Sequence, residues 1–234
     1  SGFSLRHIAL ANRKRRRAGV LNFLMLEYFK NIGITFFAGL IGVEIIWQIY
    51  KRSKAKNNSK LINEVIIFSE ELSQCRLHAV TRTPCARADC SVRSLRKLVN
   101  YLESAKRNLD VCMYLFSCED LAAAISKSFR RGVIVRIIID GGMAENTACD
   151  KRIREFQEEG IRVRMKKSEY LMHHKFAIID DEIIVTGSTN WTMQALHGNW
   201  ENIIISNEVD LVKPFVNEFE KMWAASITHY QSIG

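Results

Sequence analysis

The chain has 234 residues, 47% of them apolar, enough to bury one ordinary hydrophobic core with little left for a second. The formal net charge is +9, but it is unevenly distributed. Residues 1–60 hold 12 of the 34 lysines and arginines and two of the 25 acidic residues, a net +10, so the remainder has a net −1. Overall basicity is therefore excluded as an argument that the main body binds nucleic acid, and such binding requires local patches.

The N-terminal part contains one long apolar run. Residues 32–50 form a 19-residue, mostly apolar stretch, and a helix of that length rises about 28 Å, close to the thickness of a bilayer's hydrocarbon core. Trp47 and Tyr50, and the five basic residues within the next ten positions, suit a membrane interface. We predict a transmembrane anchor at 32–50 behind a basic segment at 1–31; a buried helix of a soluble protein is the alternative.

After the anchor the chain alternates between two kinds of pattern. Residues 51–62 are polar and indicate a linker. Residues 63–226 alternate short β-branched runs with segments of helical apolar spacing, which predicts an α/β domain with a mixed sheet flanked by helices, followed by a tail at 227–234. The predicted strands are 65–68, 109–116, 133–140, 161–165, 176–179, 183–186 and 203–205; the predicted helices are 91–107, 119–131, 148–159 and 211–225.

One stretch of the domain carries a motif suited to phosphodiester chemistry. His173, Lys175 and Asp180 have the spacing H-x-K-x4-D, and residues 187–190 supply G-S-x-N seven residues later. Side chains alternate along a strand, so His173 and Lys175 face the same way. A tight turn at 180–182 would bring 187–190 back beside them.

Each of these residue types has a role in breaking a phosphodiester. Neutral His173 can attack phosphorus and form a phosphohistidine. Lys175 can hold a non-bridging oxygen, and Asn190 can donate its amide to the same group. Ser188 and the backbone of Gly187 can add further donors. The stretch therefore predicts a phosphodiesterase that needs no catalytic metal.

The motif occurs once, and this constrains the mechanism. One imidazole cannot readily attack phosphorus and also protonate the leaving oxygen on the opposite side. A second histidine is most simply supplied by a second copy of the chain, which predicts a two-fold homodimer with coupled imidazole titrations. Glu201 offers a carboxylate that can orient one imidazole. We count Asp180 among the catalytic residues in a supporting role; a plain turn residue is the alternative.

A second cluster lies nearer the start of the domain. Cys75, His78, Cys85 and Cys90 place four potential ligands within sixteen residues. Thiolates and imidazole suit a structural zinc ion, which predicts a zinc-finger-like unit at 75–90. The spacing is not that of a common finger, so disulfides and free buried cysteines stay open.

A basic strip also stands out. Arg162, Arg164 and Lys166 alternate with apolar residues, so they share one face of a strand and can track a single-stranded nucleic-acid backbone. A solvated strand face is the alternative. No amphipathic loop with clustered aromatics, suited to admitting acyl chains, stands out near His173.

The motif residues resemble the phospholipase D superfamily, whose pattern is H-x-K-x4-D-x6-G-S-x-N, and Glu201 falls where that family has a downstream acidic residue. The single motif, the Cys/His cluster and the apolar run resemble its mitochondrial cardiolipin hydrolase, or Zucchini-type, branch. The resemblance implies a homodimer in the mitochondrial outer membrane with its catalytic domain facing the cytosol.

Two activities come with that resemblance. They are endonucleolytic cleavage of single-stranded RNA during piRNA production, and hydrolysis of cardiolipin to phosphatidic acid. The basic strip makes RNA our expected substrate, with cardiolipin as the alternative and a catalytically silent membrane scaffold as a second alternative. The sequence does not identify a protein partner other than the second copy of the chain.

Overall fold

The structure is a computed structural model that describes residues 42–48, 60–81 and 83–228. The chain divides into two compact units, Ser1–Lys60 and Leu61–Gly234. The second unit holds all the motifs that the sequence brings forward for chemistry.

The predicted anchor at 32–50 falls mostly outside the described residues. Within it, residues 42–48 are helical. In the ranges that the structure describes, no helix combines the length and the apolar character needed to cross a membrane. The basic segment at 1–31 and residues 51–59 of the predicted linker also lie outside the described residues.

The second unit is built around a sheet of eight strands in the order β1-β7-β6-β5-β2-β3-β4-β8. Neighbouring β2, β3 and β4 run parallel, and every other neighbouring pair is antiparallel, which confirms the predicted mixed sheet. The strand bounds are β1 Asn63–Phe68, β2 Asn108–Met113, β3 Ile134–Asp140, β4 Arg162–Lys166, β5 Lys175–Ile179, β6 Ile183–Gly187, β7 Glu201–Ser206 and β8 Ile227–Thr228. The last of these lies in the segment predicted as a tail.

The helices of this unit match the predicted ones closely and add two short ones. They are α1 Arg76–Thr81, α2 Ser91–Glu103, α3 Glu119–Arg130, α4 Thr147–Glu158, α5 Met193–His197 and α6 Val209–Ala225, with 3₁₀ turns at Glu70–Cys75 and Met143–Glu145. Gly132 and Gly160 follow α3 and α4 with φ of 89° and 90°. Such left-handed backbone ends a helix and favours glycine.

The two faces of the sheet bury different sets of side chains. Alternate residues of β5, among them Ala177 and Ile179, join the larger core with α2, α3 and α4. The residues between them, Phe176 and Ile178, pack against α6, for example on Phe219. Because side chains alternate along a strand, Lys175 belongs to the first face.

A two-residue turn joins β5 to β6. Asp180 and Asp181 have φ of 57° and 58°, and the Glu182 backbone N–H donates to the Ile179 carbonyl at 3.0 Å. Positive φ at both central residues is typical of the type I′ turn, whose twist matches that of the strands. Since Phe176 pairs with Thr186, the strand returns so that Gly187 comes level with Lys175.

Strand directions gather the motif at one edge of the sheet. The C-terminal ends of β2, β3, β4 and β6 meet the N-terminal ends of β5 and β7 there. We call this the site edge. Asp180 follows the other end of β5, roughly 17 Å from Lys175 at the rise of an antiparallel strand.

Candidate active site

Lys175 is a buried cation at the site edge, with 7% of its surface exposed. Its Nζ donates to the His173 carbonyl at 2.9 Å and lies 5.0 Å from the centre of the Tyr114 ring. Burial lowers the pKa of the Lys175 ammonium, and the Glu201 carboxylate opposes that shift. Lys175 therefore loses its charge at a lower pH than an exposed lysine does.

The imidazole of His173 is exposed beside the same aromatic ring. The His173 and Tyr114 rings meet edge to face, with centroids 4.6 Å apart and planes at 64°. The Tyr114 backbone N–H donates to the His174 carbonyl at 2.9 Å. The ring of His174 instead contacts Phe176 at 5.5 Å, so the two histidines point to opposite faces, as the alternation predicts.

Sequence reasoning gives Tyr114 no role, because it falls inside the predicted strand 109–116. Its contacts with His173 and Lys175 make it part of the site. The signal that could find it is topological, since the residue after β2 meets the start of β5 only when those strands pair.

The loop after β6 is fixed against the start of β7. A Cβ on Gly187 would lie 2.0 Å from the Asn202 carbonyl oxygen, so only glycine fits. The Ser188 backbone N–H donates to that same oxygen at 3.1 Å, and the Ser188 hydroxyl donates to the Glu201 carboxylate. The predicted supporting residues Gly187 and Ser188 are thus held beside Glu201.

Glu201 makes its hydrogen bonds locally. Its carboxylate accepts from Ser188 and from the Asn199 amide at 3.3 Å. No imidazole hydrogen-bonds to it in the part of the chain that the structure describes. Within one chain, therefore, Glu201 orders the 187–190 loop and places negative charge near Lys175, and the predicted orientation of an imidazole is not seen.

Asn190 supplies a polar group without a partner. It is half-buried, and its Oδ1 is shielded from solvent with no hydrogen-bond partner among the described residues. Its backbone carbonyl accepts from the Thr192 N–H at 2.9 Å. Leaving a buried amide group unsatisfied costs free energy unless a ligand completes it. The unsatisfied atom is an acceptor, so it calls for a donor and not for a phosphoryl oxygen. The predicted contact of Asn190 with the phosphoryl group depends instead on its Nδ2 amide donor and stays a prediction.

Asp180 is placed differently from what its catalytic assignment requires. Its carboxylate, 9% exposed, accepts from the backbone N–H groups of Lys106, Arg107 and Asn108 at 3.0, 2.6 and 3.1 Å. These residues lead into β2 and include its first residue, at the edge opposite His173. The distance of about 17 Å along β5 prevents contact with a phosphorus atom at His173, so the supporting role of Asp180 is to hold the hairpin.

Another carboxylate fixes the segment that leads into His173. Asp140, at the end of β3 and 4% exposed, accepts from the Gly142 and Met143 backbone N–H groups at 2.9 and 3.1 Å. Its other oxygen accepts from the Met172 N–H at 2.8 Å. The Asp-Gly-Gly sequence is therefore a strand-end turn that also sets the position of residue 173.

The predicted basic strip divides into two parts. The Arg164 guanidinium donates to the Trp223 carbonyl and lies 4.3 Å from the centre of its indole, and Arg162 lies 5.9 Å from the same ring. These two arginines pack on α6. Only Lys166 reaches a groove of about 540 Å³ that also borders His173 and His174.

The Cys/His cluster comes together as predicted. The ligand atoms of Cys75, His78, Cys85 and Cys90 all lie within 4.8 Å of one another, so these residues can hold a metal ion. The Cys75 and Cys85 sulfurs are 3.9 Å apart; tetrahedral zinc with Zn–S bonds of 2.3 Å would place them about 3.8 Å apart. All six cysteines are free thiols, which excludes the disulfide alternative.

A second observation supports metal binding at this cluster. The Nδ1 atom of His78 is buried without a hydrogen-bond partner among the described residues. A bound cation would satisfy it. The donor set of three sulfurs and one imidazole nitrogen suits zinc rather than magnesium or calcium, which prefer oxygen. The cluster can therefore hold a metal ion, and its donor set fits the structural zinc that the sequence predicts.

Metal removal provides a direct test of that prediction. We expect about one zinc per chain by elemental analysis. A chelator should lower the Tm by several degrees, because segment 75–90 would be stabilised by the ion more than by a hydrophobic core of its own. Cys85→Ser should lower the Tm similarly and make it insensitive to the chelator. A zinc-free preparation with an unchanged Tm would contradict the prediction.

Comparisons with known proteins agree with this geometry. Residues 98–223 match the family model described as cardiolipin synthase, PLD-like domain. The chain is 32% identical over 217 residues to the mitochondrial cardiolipin hydrolase of Drosophila melanogaster, covering 80% of this chain and 85% of the relative. It is 34% identical over 209 residues to the mitochondrial cardiolipin hydrolase of Danio rerio, covering 86% of this chain and 88% of the relative.

Solved structures show the same fold. The phospholipase D family member Nuc from Salmonella typhimurium superposes with a TM-score of 0.59 at 22% identity, covering 74% of this chain and all of Nuc. NucT from Helicobacter pylori gives a TM-score of 0.58 at 22% identity, covering 73% of this chain and all of NucT. With the family match and the relatives, they show that the chain belongs to the phospholipase D superfamily and is a phosphodiesterase related to the mitochondrial cardiolipin hydrolases.

Proposed function

We propose that the chain hydrolyses phosphodiesters through a phosphohistidine on His173, in a site completed by a second copy of the chain. The observation that supports this most is the joint position of His173, Lys175 and the 187–190 loop at the site edge. An exposed imidazole, a buried cation and the half-buried amide side chain of Asn190 lie at that edge.

The reaction takes two displacements. Neutral His173 attacks phosphorus, and the bond from phosphorus to the leaving oxygen breaks while a protonated imidazole on the far side gives its proton to that oxygen. Water then attacks the phosphohistidine, and the now neutral second imidazole takes the water's proton. Lys175 and Asn190 stabilise the charge on the non-bridging oxygens in both steps. A phosphomonoester and an alcohol result.

We infer that the second imidazole comes from another copy of the chain. His174 points to the opposite face of the sheet, toward Phe176, so it cannot face His173 across a phosphorus atom. Leu171 and Trp200 expose 65% and 68% of their surfaces close to His173 and Glu201 in the chain. A two-fold partner that brings its own His173 would cover these apolar side chains.

For the substrate we propose cardiolipin, which this chemistry converts to phosphatidic acid. The relatives are named for cardiolipin hydrolysis and for mitochondria. For the location we propose the mitochondrial outer membrane, with residues 32–50 as the anchor and the catalytic domain facing the cytosol, as the resemblance implies. The preference for RNA loses support because Arg162 and Arg164 pack on Trp223.

Single-stranded RNA stays the second candidate, in the piRNA setting that the resemblance implies. Tyr170 lines the groove beside His173 with 82% of its surface exposed, and two lysines line the same groove. An exposed aromatic ring next to lysines can stack a base while the lysines hold the backbone. The intact motif argues against a silent scaffold.

The test presents the full-length protein with both substrates. We expect cardiolipin in detergent micelles to yield phosphatidic acid, with turnover that persists in EDTA because the motif supplies nucleophile and charge without a metal. Circular dichroism in EDTA controls for loss of the structural zinc. Cleavage of a labelled RNA oligonucleotide without lipid turnover would favour the second candidate. Loss of turnover in EDTA with the fold preserved would contradict the metal-free mechanism.

A further inference from the structure

The groove beside His173 is larger than one phosphate needs. Its volume is about 540 Å³, and it runs from His173 between the 168–172 segment and the C-terminal half of α6. That volume is in the range of small-molecule sites. The groove lies on the α6 face, but His173 at the site edge is among its lining residues, so a phosphodiester held there has room to extend one of its two arms past the strand ends into the groove.

Two lysines line this groove on separate elements. Lys166 is the last residue of β4, and Lys221 lies on α6. The Lys166 side chain is half-buried and forms no ion pair with a residue in the described ranges. Lys221 lies 3.5 Å from Glu218, one turn earlier on the same helix, and 77% of its side chain is exposed. Cations from two elements beside one groove suit an anionic ligand.

Glu218 lines the groove as well and works against anion binding. Its carboxylate partly neutralises Lys221 and repels a phosphate. His173, His174 and Tyr170 are the other titratable groups that line the groove. The two lysines and Glu218 together have a formal net charge of +1, which fits one additional phosphate.

We propose that Lys166 and Lys221 form a subsite for a second phosphate, one alcohol unit away from the phosphate that His173 attacks. The subsite rests on the proposed function, because it needs a diester at His173. It narrows the substrate class to diesters whose alcohol carries another phosphate. Cardiolipin has this form, with two phosphates joined by a glycerol; in RNA a ribose joins them.

The experiment compares substrates with and without the second phosphate. Lys166→Ala and Lys221→Ala in the full-length protein should each raise KM for cardiolipin about 5- to 10-fold, the size of a charge-assisted contact at a partly exposed site. KM for bis(p-nitrophenyl) phosphate, which has one phosphate, should change less than about twofold. Glu218→Gln should lower KM for cardiolipin, because it removes the repulsion and frees Lys221.

Lys167→Ala is the matched control, since it removes the same charge from the neighbouring position and Lys167 does not line the groove. Its KM for cardiolipin should change less than about twofold, as expected for an exposed charge screened by salt. Equal effects of Lys166→Ala on both substrates, or an effect on neither, would overturn the subsite. So would equal effects of Lys166→Ala and Lys167→Ala.

A parallel arm uses a short single-stranded RNA in place of cardiolipin. If the lysine variants raise KM for cardiolipin, the lipid is the source of the second phosphate. If they raise KM for RNA alone, the nucleic acid is the source. Either result supports the subsite. Failure of the wild-type protein to hydrolyse bis(p-nitrophenyl) phosphate would count against the proposed function. Hydrolysis of that probe combined with lysine-independent KM values would overturn only the subsite.

Discussion

Replacing His173 by asparagine is expected to lower kcat by about four orders of magnitude or more, because the reaction loses its nucleophile and no second group can form the phosphoryl intermediate. The imidazole is exposed, so the fold and the Tm should not change. Initial rates with cardiolipin and with bis(p-nitrophenyl) phosphate measure the loss. Wild-type protein quenched during turnover should carry an acid-labile, base-stable phosphoryl group that His173→Asn lacks.

His174→Asn is the comparison for that variant. It removes an adjacent imidazole whose ring contacts Phe176 on the α6 face. We expect the kcat of His174→Asn to stay within about tenfold of the wild-type value, since the His174 side chain lines the groove and does not contact the phosphorus atom. A His173→Asn protein that turns over at a rate close to that of His174→Asn would remove the basis for a histidine nucleophile.

Replacing Asp180 by alanine is expected to cost about 3–4 kcal/mol of unfolding free energy. Three backbone N–H groups, those of Lys106, Arg107 and Asn108, would lose their acceptor at a partly buried place. The φ of 57° at residue 180 adds strain for alanine. Urea unfolding followed by circular dichroism measures the change.

Asp180→Asn separates the structural role from a catalytic one. Asparagine tolerates the left-handed backbone and keeps one carbonyl oxygen as an acceptor, so it should lose roughly half as much stability. The folded fraction of either variant should keep a nearly normal kcat. If instead Asp180→Asn were fully stable and inactive, Asp180 would belong to the chemistry, and the position we assign to it would be wrong.

The spacing of the motif has a physical explanation in the hairpin. His173 and Lys175 share a direction because side chains alternate. Two consecutive aspartates tolerate positive φ and close the strand with a two-residue turn. The return strand then brings Gly187 level with Lys175, where the Asn202 carbonyl leaves no space for a side chain. Local chemistry alone therefore predicts this half of the site.

Other parts of the site depend on strand order, which the sequence does not encode locally. Tyr114 meets His173 because β2 pairs with β5, and Asp140 holds Met172 across the gap between β3 and the segment before β5. Each of these two contacts joins residues that are far apart in the chain. A single sequence offers no periodicity or spacing from which to infer them.

The basic strip shows that a correct local pattern does not decide which side chains stay available to a partner. Arg162, Arg164 and Lys166 do share one face of β4, as the alternation predicts. That face is covered in part by α6, where Trp223 receives the two arginines. Arginine stacks readily on an indole ring. The pattern indicates which side chains are neighbours, and the packing of a distant helix decides which of them stay available.

The mixing of active and inactive subunits tests the central claim most directly. Full-length wild-type and His173→Asn chains are combined in varying ratios under conditions that allow subunit exchange, and total activity is measured with bis(p-nitrophenyl) phosphate. If each phosphorus atom needs a His173 from both chains, activity follows the square of the wild-type fraction and falls to about a quarter at equal amounts. Activity proportional to the wild-type fraction would show that one chain is sufficient and would contradict the shared site.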